Sequence, residues 1–368
     1  MGMEKRYLIA FLGAFTVLSG LVLAVTLVID PYGISPFKVN IEGVNAARVE
    51  RMRLDRMIKP LDVLNRKPKT LFIGTSRVKE GIDPDSFTGT RFAPVYNLGI
   101  DFSSLTESVS LLETLLPHNP QVKYVFLELN FIHFYGPGPV RVATNTRELV
   151  LDTATAAFST DALIASISTA LKNSFYFGHG YWLEDNGLVN LPPMTMMGDL
   201  ENFFNSVVSK VGNLEISTVQ IDFSERISSI CTRHKVQCAY VILPYQPVDL
   251  AHLKLGGGWE AIEQVKRFSM TYLPTWDFTL YNSITNEPLK EGMSYWIDVN
   301  HFTPKVGGYI AKRLLGQRAP EIPENFGVLL SPENIETTLS DWRKGRDLWL
   351  AANPDLVKRI EAGIRNKQ

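Results

Sequence analysis

The chain has 368 residues, 45% hydrophobic and 20% charged, and its 37 Lys and Arg against 38 Asp and Glu give a formal net charge of −1. These are the proportions of a globular protein with enough chain for one large α/β domain carrying insertions. The near-zero charge offers no basic face and argues against nucleic acid as a partner.

The first element is an uncharged run, YLIAFLGAFTVLSGLVLAVTLVI, over residues 7–29. A bilayer core takes about 20 apolar residues at helical rise, so this run is expected to form a transmembrane helix. It outlasts the roughly 7 to 15 apolar residues of a secretory signal, and no small-x-small site precedes Asp30, which favours an uncleaved signal-anchor over a cleaved leader. Lys5 and Arg6 precede the run and Asp30-Pro31 closes it. The positive-inside rule then leaves residues 1–6 in the cytoplasm and exports the rest of the chain beyond the helix.

Residues 30–68 read as a linker and an amphipathic helix, the latter in AARVERMRLDRMIKPLDVLN, where apolar residues recur at three and four residue intervals. Residues 69–320 then alternate strand and helix. Buried parallel strands are expected at 70–76 (TLFIGTS), 93–98, 123–129 (KYVFLEL), 236–243 (VQCAYVIL) and 276–281, with helices at about 104–116, 214–234 and 304–315. This rhythm predicts a doubly wound parallel sheet in an α/β domain. It breaks at about 131–199 into aromatic and glycine-rich pieces, FIHFYGPGP and FYFGHGYWLEDNG, read as an insertion over one end of the sheet. Residues 321–368 read as a polar helical tail. Cys231 and Cys238 are the only cysteines; with one near a helix end and the other in a strand, unpaired thiols are favoured over a disulfide. Two thiols without nearby histidines do not complete a metal shell, so no metal is expected.

Four short blocks carry residues suited to acyl chemistry. Ser76, in Gly74-Thr75-Ser76-Arg77, comes just after a strand where small neighbours allow a sharp turn and an exposed hydroxyl; the alternative is a helix N-cap. Gly99, in Asn97-Leu98-Gly99-Ile100-Asp101, is placed to bring a backbone N–H toward a developing oxyanion, or simply ends a strand. Asn130, closing KYVFLELN, offers an amide donor or is a turn asparagine. Asp298-Val299-Asn300-His301 lets an aspartate reach the histidine Nδ1–H within one turn and leave Nε2 to take a serine proton. The alternative is an aspartate capping the turn beside an unrelated histidine.

In their order along the chain, these blocks resemble the SGNH (GDSL-like) hydrolase superfamily. The resemblance implies a flavodoxin-like three-layer fold, Ser76 as nucleophile, His301 as base, Asp298 as its orienting partner, and an oxyanion hole from Ser76, Gly99 and Asn130. It covers about residues 69–315, with the insertion unmatched. Asp30-Pro31-Tyr32-Gly33, Ile73-Gly-Thr-Ser-Arg-Val78 and Tyr96-Asn-Leu-Gly99 look more narrowly like the membrane-anchored members that modify bacterial cell-envelope polysaccharides, relatives of the alginate O-acetylation and D-alanyl teichoic-acid transfer proteins. That branch implies an acyl, typically acetyl, group moved to or removed from an exported polysaccharide, without a cofactor. It also implies a single-pass inner-membrane protein with a periplasmic domain and, as a partner, a multi-pass membrane acyltransferase. Two departures are visible: Gly74-Thr75-Ser76 stands for the usual Gly-Asp-Ser, and Glu128-Leu129-Asn130 lacks its usual glycine.

Arg77, beside the serine, is a candidate to bind an anionic substrate group, against an ion-paired side chain; Glu128 is its candidate partner. His133 and His179 are candidates to line a cleft, against hydrogen-bonded loop histidines. Phe175, Tyr176, Tyr181 and Trp182 suit sugar stacking, a membrane interface or packing on the sheet. A non-catalytic scaffold or glycan-binding subunit of the same fold is the alternative function, and a lipid-directed esterase a third.

Overall fold

A computed structural model describes residues 2–35, 37, 39–134, 141–175, 182–190, 218–290 and 292–365. In chain order its elements begin with α1 (Met3–Ile29), α2 (Asp55–Arg66), β1 (Thr70–Gly74), α3 (Ser76–Gly81), β2 (Val95–Gly99), α4 (Leu105–Leu115) and β3 (Tyr124–Glu128). Next come α5 (Thr146–Ala157), α6 (Thr160–Phe175), β4 (Trp182–Leu183), β5 (Val189–Asn190), α7 (Thr218–Arg233) and β6 (Gln237–Ile242). The chain closes with α8 (Pro247–Leu255), α9 (Trp259–Ser269), β7 (Thr275–Asp277), α10 (Pro304–Leu314), β8 (Val328–Leu330), α11 (Ile335–Ala352) and α12 (Pro354–Arg365). The chain divides into two compact units, one of Met1–Asp62, Ala143–Glu184 and Val189–Pro192, the other of Val63–Val142, Asp185–Leu188 and Pro193–Gln368.

The first unit contains α1, a helix long and apolar enough to cross a membrane. Its C-terminal end is fastened by side chains. Asp30 takes a left-handed φ of 48° and its Oδ1 accepts from Ile34 N–H at 2.7 Å and Ser35 N–H at 2.9 Å. The Asn45 amide donates to the carbonyls of Val28 and Ile29, both at 3.0 Å, satisfying orphan acceptors that a helix end leaves open. Helices α5 and α6, from the expected insertion, belong to this unit together with the expected linker. Glu50 joins the two segments by accepting from Ser168 Oγ at 2.7 Å and Lys172 Nζ at 2.8 Å. Ala143–Glu184 thus groups with the N-terminal segment in one compact unit.

The second unit is α/β around a six-stranded sheet of order β2-β1-β3-β6-β7-β8, parallel except for β8, which runs antiparallel to β7. Strand alternation sends side chains to two separate cores, one on each face. Leu71, Ile73, Val125 and Leu127 enter the first core, together with Leu112 of α4, Ile227 of α7 and Ile262 of α9. Phe72, Phe126 and Val241 enter the second, with Val78 of α3 and Val306 and Ile310 of α10. The expected strands and helices appear within a few residues of their predicted bounds, the expected 276–281 strand as the short β7.

The expected helical tail contains α11 and α12. It supplies β8 and α11, and the latter drives Trp342, fully buried, onto Trp259 with ring centroids 3.8 Å apart. Trp342 Nε1 donates to the Thr279 carbonyl at 3.1 Å. Residues beyond 320 therefore complete the α/β unit. The free-thiol expectation fails as well: Cys231 and Cys238 form a disulfide with Cα atoms 6.1 Å apart. Lys235 takes φ 55° and Val236 N–H returns to the Cys231 carbonyl at 2.9 Å, so β6 starts back alongside the last turn of α7.

Candidate active site

From β1 the chain crosses to one side to make β2 and to the other to make β3. The crevice outside the C-terminal ends of β1 and β3 is therefore the switch point at which open parallel sheets place ligands. Three chain segments converge there: the turn after β1, the turn after β3, and the loop before α10.

In the turn after β1 the helix cap falls to the threonine before the serine. Thr75, and not Ser76, caps α3, its Oγ1 accepting from Arg77 N–H at 3.3 Å. Ser76 is left as the first helical residue with its hydroxyl uncommitted to capping, and Ser76 Oγ lies 2.8 Å from His301 Nε2. No described residue accepts from the Ser76 N–H, as expected at a helix start.

The loop before α10 is closed by its own aspartate. Asp298 Oδ1 accepts from the N–H groups of Asn300 (2.6 Å) and His301 (2.7 Å), while Oδ2 meets His301 Nδ1 at 2.7 Å. A carboxylate on Nδ1 assigns the proton there and leaves Nε2 as acceptor for the serine hydroxyl. Burial works against ionised Asp298, but hydrogen bonds from the His301 side chain and the two backbone N–H groups outweigh it and hold its pKa below the ordinary 3.8. For His301, burial disfavours the charged form, yet Asp298 and then Glu80 outweigh it, and the pKa lies above 6.5.

Glu80 is a site residue that the sequence motifs do not mark. Its Oε2 stands 3.8 Å from His301 Nδ1, and burial raises its pKa above the ordinary 4.5. The signal was present in the spacing, since Ser76 and Glu80 are four residues apart and share one face of α3.

The turn after β3 buttresses the serine turn. Glu128 Oε2 accepts from Thr75 N–H at 2.6 Å and Thr75 Oγ1 at 2.8 Å, and Oε1 accepts from Asn130 Nδ2 at 2.9 Å. Asn130 Oδ1 in turn accepts from the Tyr245 hydroxyl at 2.9 Å and Ile132 N–H at 3.1 Å.

Three of the candidate residues have definite partners within the fold. Gly99 N–H donates to Asn97 Oδ1 at 3.0 Å. A Cβ at Gly99 would strike the backbone of Lys79 and the Thr75 carbonyl, so glycine is required there by the close approach of α3. Arg77 is buried, not a surface anion receptor. It donates through Nε to the Asn300 carbonyl at 3.0 Å and through Nη2 to the Pro244 carbonyl, stacks 4.1 Å over the Tyr245 ring, and faces Glu128 at 3.8 Å. It thereby ties the serine helix to the histidine loop. His133 is buried too, its Nδ1 accepting from Asn130 N–H at 3.3 Å and its Nε2 donating to the Ser103 carbonyl at 3.1 Å. That is the hydrogen-bonded loop histidine, and burial lowers its pKa. His179, Tyr176 and Tyr181 lie outside the described residues.

The assembled groups can do nucleophilic chemistry: a hydroxyl, a neutral imidazole acceptor and an orienting carboxylate in one hydrogen-bonded line. No group of three or more histidines, cysteines and acids that could hold a metal ion occurs among the described residues. No protein-family model matches the chain, and no curated protein matches it significantly.

Proposed function

We propose that this protein is a serine-dependent acyl transferase or esterase of the SGNH type, acting on an exported or cell-envelope polysaccharide. The observation that carries the proposal is the unbroken line from Ser76 Oγ through His301 Nε2 and Nδ1 to Asp298 Oδ2, with contacts of 2.8 and 2.7 Å. The β1–β3 switch point and the apolar cores on both faces of the sheet support the flavodoxin-like, three-layer arrangement of that superfamily.

In this reading Ser76 Oγ attacks an acyl carbonyl as its proton passes to His301 Nε2, and the imidazolium is stabilised by Asp298. The carbonyl oxygen becomes an oxyanion facing the Ser76 N–H. Asn130 adds a donor: Glu128 occupies one of its two amide protons and leaves the other. Collapse of the intermediate expels the alcohol, which takes the proton from His301, and leaves an acyl-serine. A water molecule or a sugar hydroxyl then attacks the acyl-serine with His301 as base, giving hydrolysis or transfer.

The membrane-crossing length of α1 supports a site tethered to a membrane, hence a polymer substrate passing there and a membrane-embedded acyl donor partner. The Cys231–Cys238 disulfide supports the extracytoplasmic side, since such bonds persist in oxidising compartments.

The committed hydrogen bond of Gly99 N–H favours a second reading, a non-catalytic scaffold of the same fold. Labelling with a serine-directed fluorophosphonate separates them, alongside hydrolysis of p-nitrophenyl acetate and of acetylated glycan. The catalytic reading expects labelling of the wild type and none of Ser76→Ala; equal labelling of the two sinks it. The scaffold reading expects polysaccharide modification in cells to survive Ser76→Ala.

A further inference from the structure

The first unit holds a helix whose polarity is reversed. The buried face of α6 is made of Ala162, Ala165, Ser166, Thr169 and Asn173, small or polar residues. Its exposed face is large and apolar: Ile164, Ile167, Leu171 and Phe175, each more than half exposed, fall at spacings of three and four and form one stripe. On α5 and at the break after it, Leu151 and Phe158 are likewise more than half exposed. A helix facing water shows the opposite arrangement. Small residues inward and large apolar residues outward are how helices pack when their outer solvent is lipid.

The position of α6 along α1 says where that lipid would lie. Helix α6 packs against α1, and the described α1 residues that lose exposure all lie between Leu23 and Ile29. Residues 7–22, exposed throughout, rise about 24 Å at helical pitch, short of a hydrocarbon core of about 30 Å. The remaining depth must come from residues 23–29, the level at which α6 is packed. Nor do α5 and α6 make a straight span, since they are bent by 64° at their break, although together they are apolar enough to enter a membrane.

We infer that α5 and α6 are a second, interfacial membrane contact: a bent helical pair seated in the headgroup and outer acyl boundary of the bilayer beside α1, with the Ile164–Phe175 stripe and Phe158 facing lipid. Its occupant is the bilayer itself, because α6 packs on α1 at Leu23–Ile29, directly after the exposed apolar stretch 7–22 that lies in the membrane. Anchorage at two places holds the first unit against the membrane surface, where a single helix alone would leave it free to swing. The inference rests on α1 spanning the bilayer and not on the chemistry proposed at Ser76.

The test uses the full chain in vesicles of phosphatidylcholine and phosphatidylglycerol, with single cysteines carrying an environment-sensitive fluorophore. The native cysteines are joined in the disulfide and do not react. Labels go on Ile167→Cys and Phe158→Cys, with Val17→Cys in α1 and the exposed Lys344→Cys in the α/β unit as references. Expected is quenching of the Ile167 and Phe158 labels by nitroxides near the headgroup, with iodide quenching about threefold or more below that at Lys344. The Val17 label should respond to nitroxides near the acyl methyl end. If Val17 meets lipid while Ile167 and Phe158 are as open to iodide as Lys344, the inference is overturned and the anchor stands; if Val17 is also open to iodide, both fall. Protection of Ile167 that appears only in native membranes would assign the face to a protein partner and equally overturn it.

Discussion

Glu128→Gln tests the reasoning about how the serine turn is held. The Glu128 side chain is fully buried and receives three hydrogen bonds, two at Oε2 from Thr75 and one at Oε1 from Asn130. Glutamine keeps the shape but replaces one acceptor with an NH2. Its better orientation keeps the oxygen on the two Thr75 donors and turns the NH2 toward Asn130 Nδ2, so one bond is lost and two donors face each other. Each buried donor left without an acceptor costs about 1–3 kcal/mol. Removing the charge opposite the buried Arg77 adds to this loss, although Arg77 keeps two carbonyl acceptors. The expected loss is therefore at least about 3 kcal/mol, a substantial share of a total stability of about 5–15 kcal/mol. At about 2–4 °C per kcal/mol for a unit of this size, the melting temperature of the full chain in detergent should fall by about 6–12 °C or more. Fluorophosphonate labelling of Ser76 should fall with it even at temperatures where the variant is folded. A melting temperature within about 2 °C of wild type with unchanged labelling would show that Glu128 does not hold the turn.

Four further outcomes are expected. Asp298→Asn leaves His301 without the carboxylate that fixes its tautomer, and acetyl-ester turnover should drop about 10³–10⁴-fold with the fold intact by circular dichroism; a loss under about tenfold refutes the orienting role. Turnover should fall on the acid side through a pKa above 6.5, because His301 must be neutral to accept the proton and its pKa is raised. Stability is linked to the same two groups: the charged His301–Asp298 pair stabilises fully below pH 6.5 and its contribution fades as pH rises through the raised folded value, whereas that of Asp298, whose pKa is lowered, is present above 3.8 and is lost as pH falls through the folded value. In melting curves across pH, the advantage of wild type over His301→Gln should be largest between about pH 3.8 and 6.5 and should shrink on either side. Finally, Lys266 and Asp277 are both fully buried 2.8 Å apart, so Lys266→Ala should destabilise by about 3–5 kcal/mol in thermal or urea unfolding, and the Lys266→Met, Asp277→Leu double variant by less than either partner's removal alone.

The segments of the candidate site are held together by Arg77 and Asn97. Arg77 joins the Asn300 carbonyl, next to His301, to the helix that begins with Ser76, and Asn97 donates to the carbonyls of Val78 (2.7 Å) and Ile82 (2.6 Å) at the far end of that helix. Between them the short α3 is pinned at both ends. This is the rigidity that keeps the Ser76 hydroxyl within hydrogen-bond reach of a histidine carried on a loop more than two hundred residues away in sequence.

Features that depend on neighbours along the chain were legible in the letters alone. The uncharged run of α1, the buried strands, the turn ending in Ser76 and the Asp298-to-His301 spacing are all set by periodicity, strand propensity or a single turn. Roles that depend on which groups arrive from elsewhere emerged only in three dimensions. Thr75 rather than Ser76 took the cap, Asn97 captured the Gly99 N–H, and Arg77 was buried under Tyr245. Residues beyond 320 proved to be part of the sheet unit because Trp342 needed Trp259 to cover it, a contact invisible to any local pattern. The same holds for α6: that Ile164, Ile167, Leu171 and Phe175 face outward, while alanine and serine face in, is settled by the neighbours that pack against it.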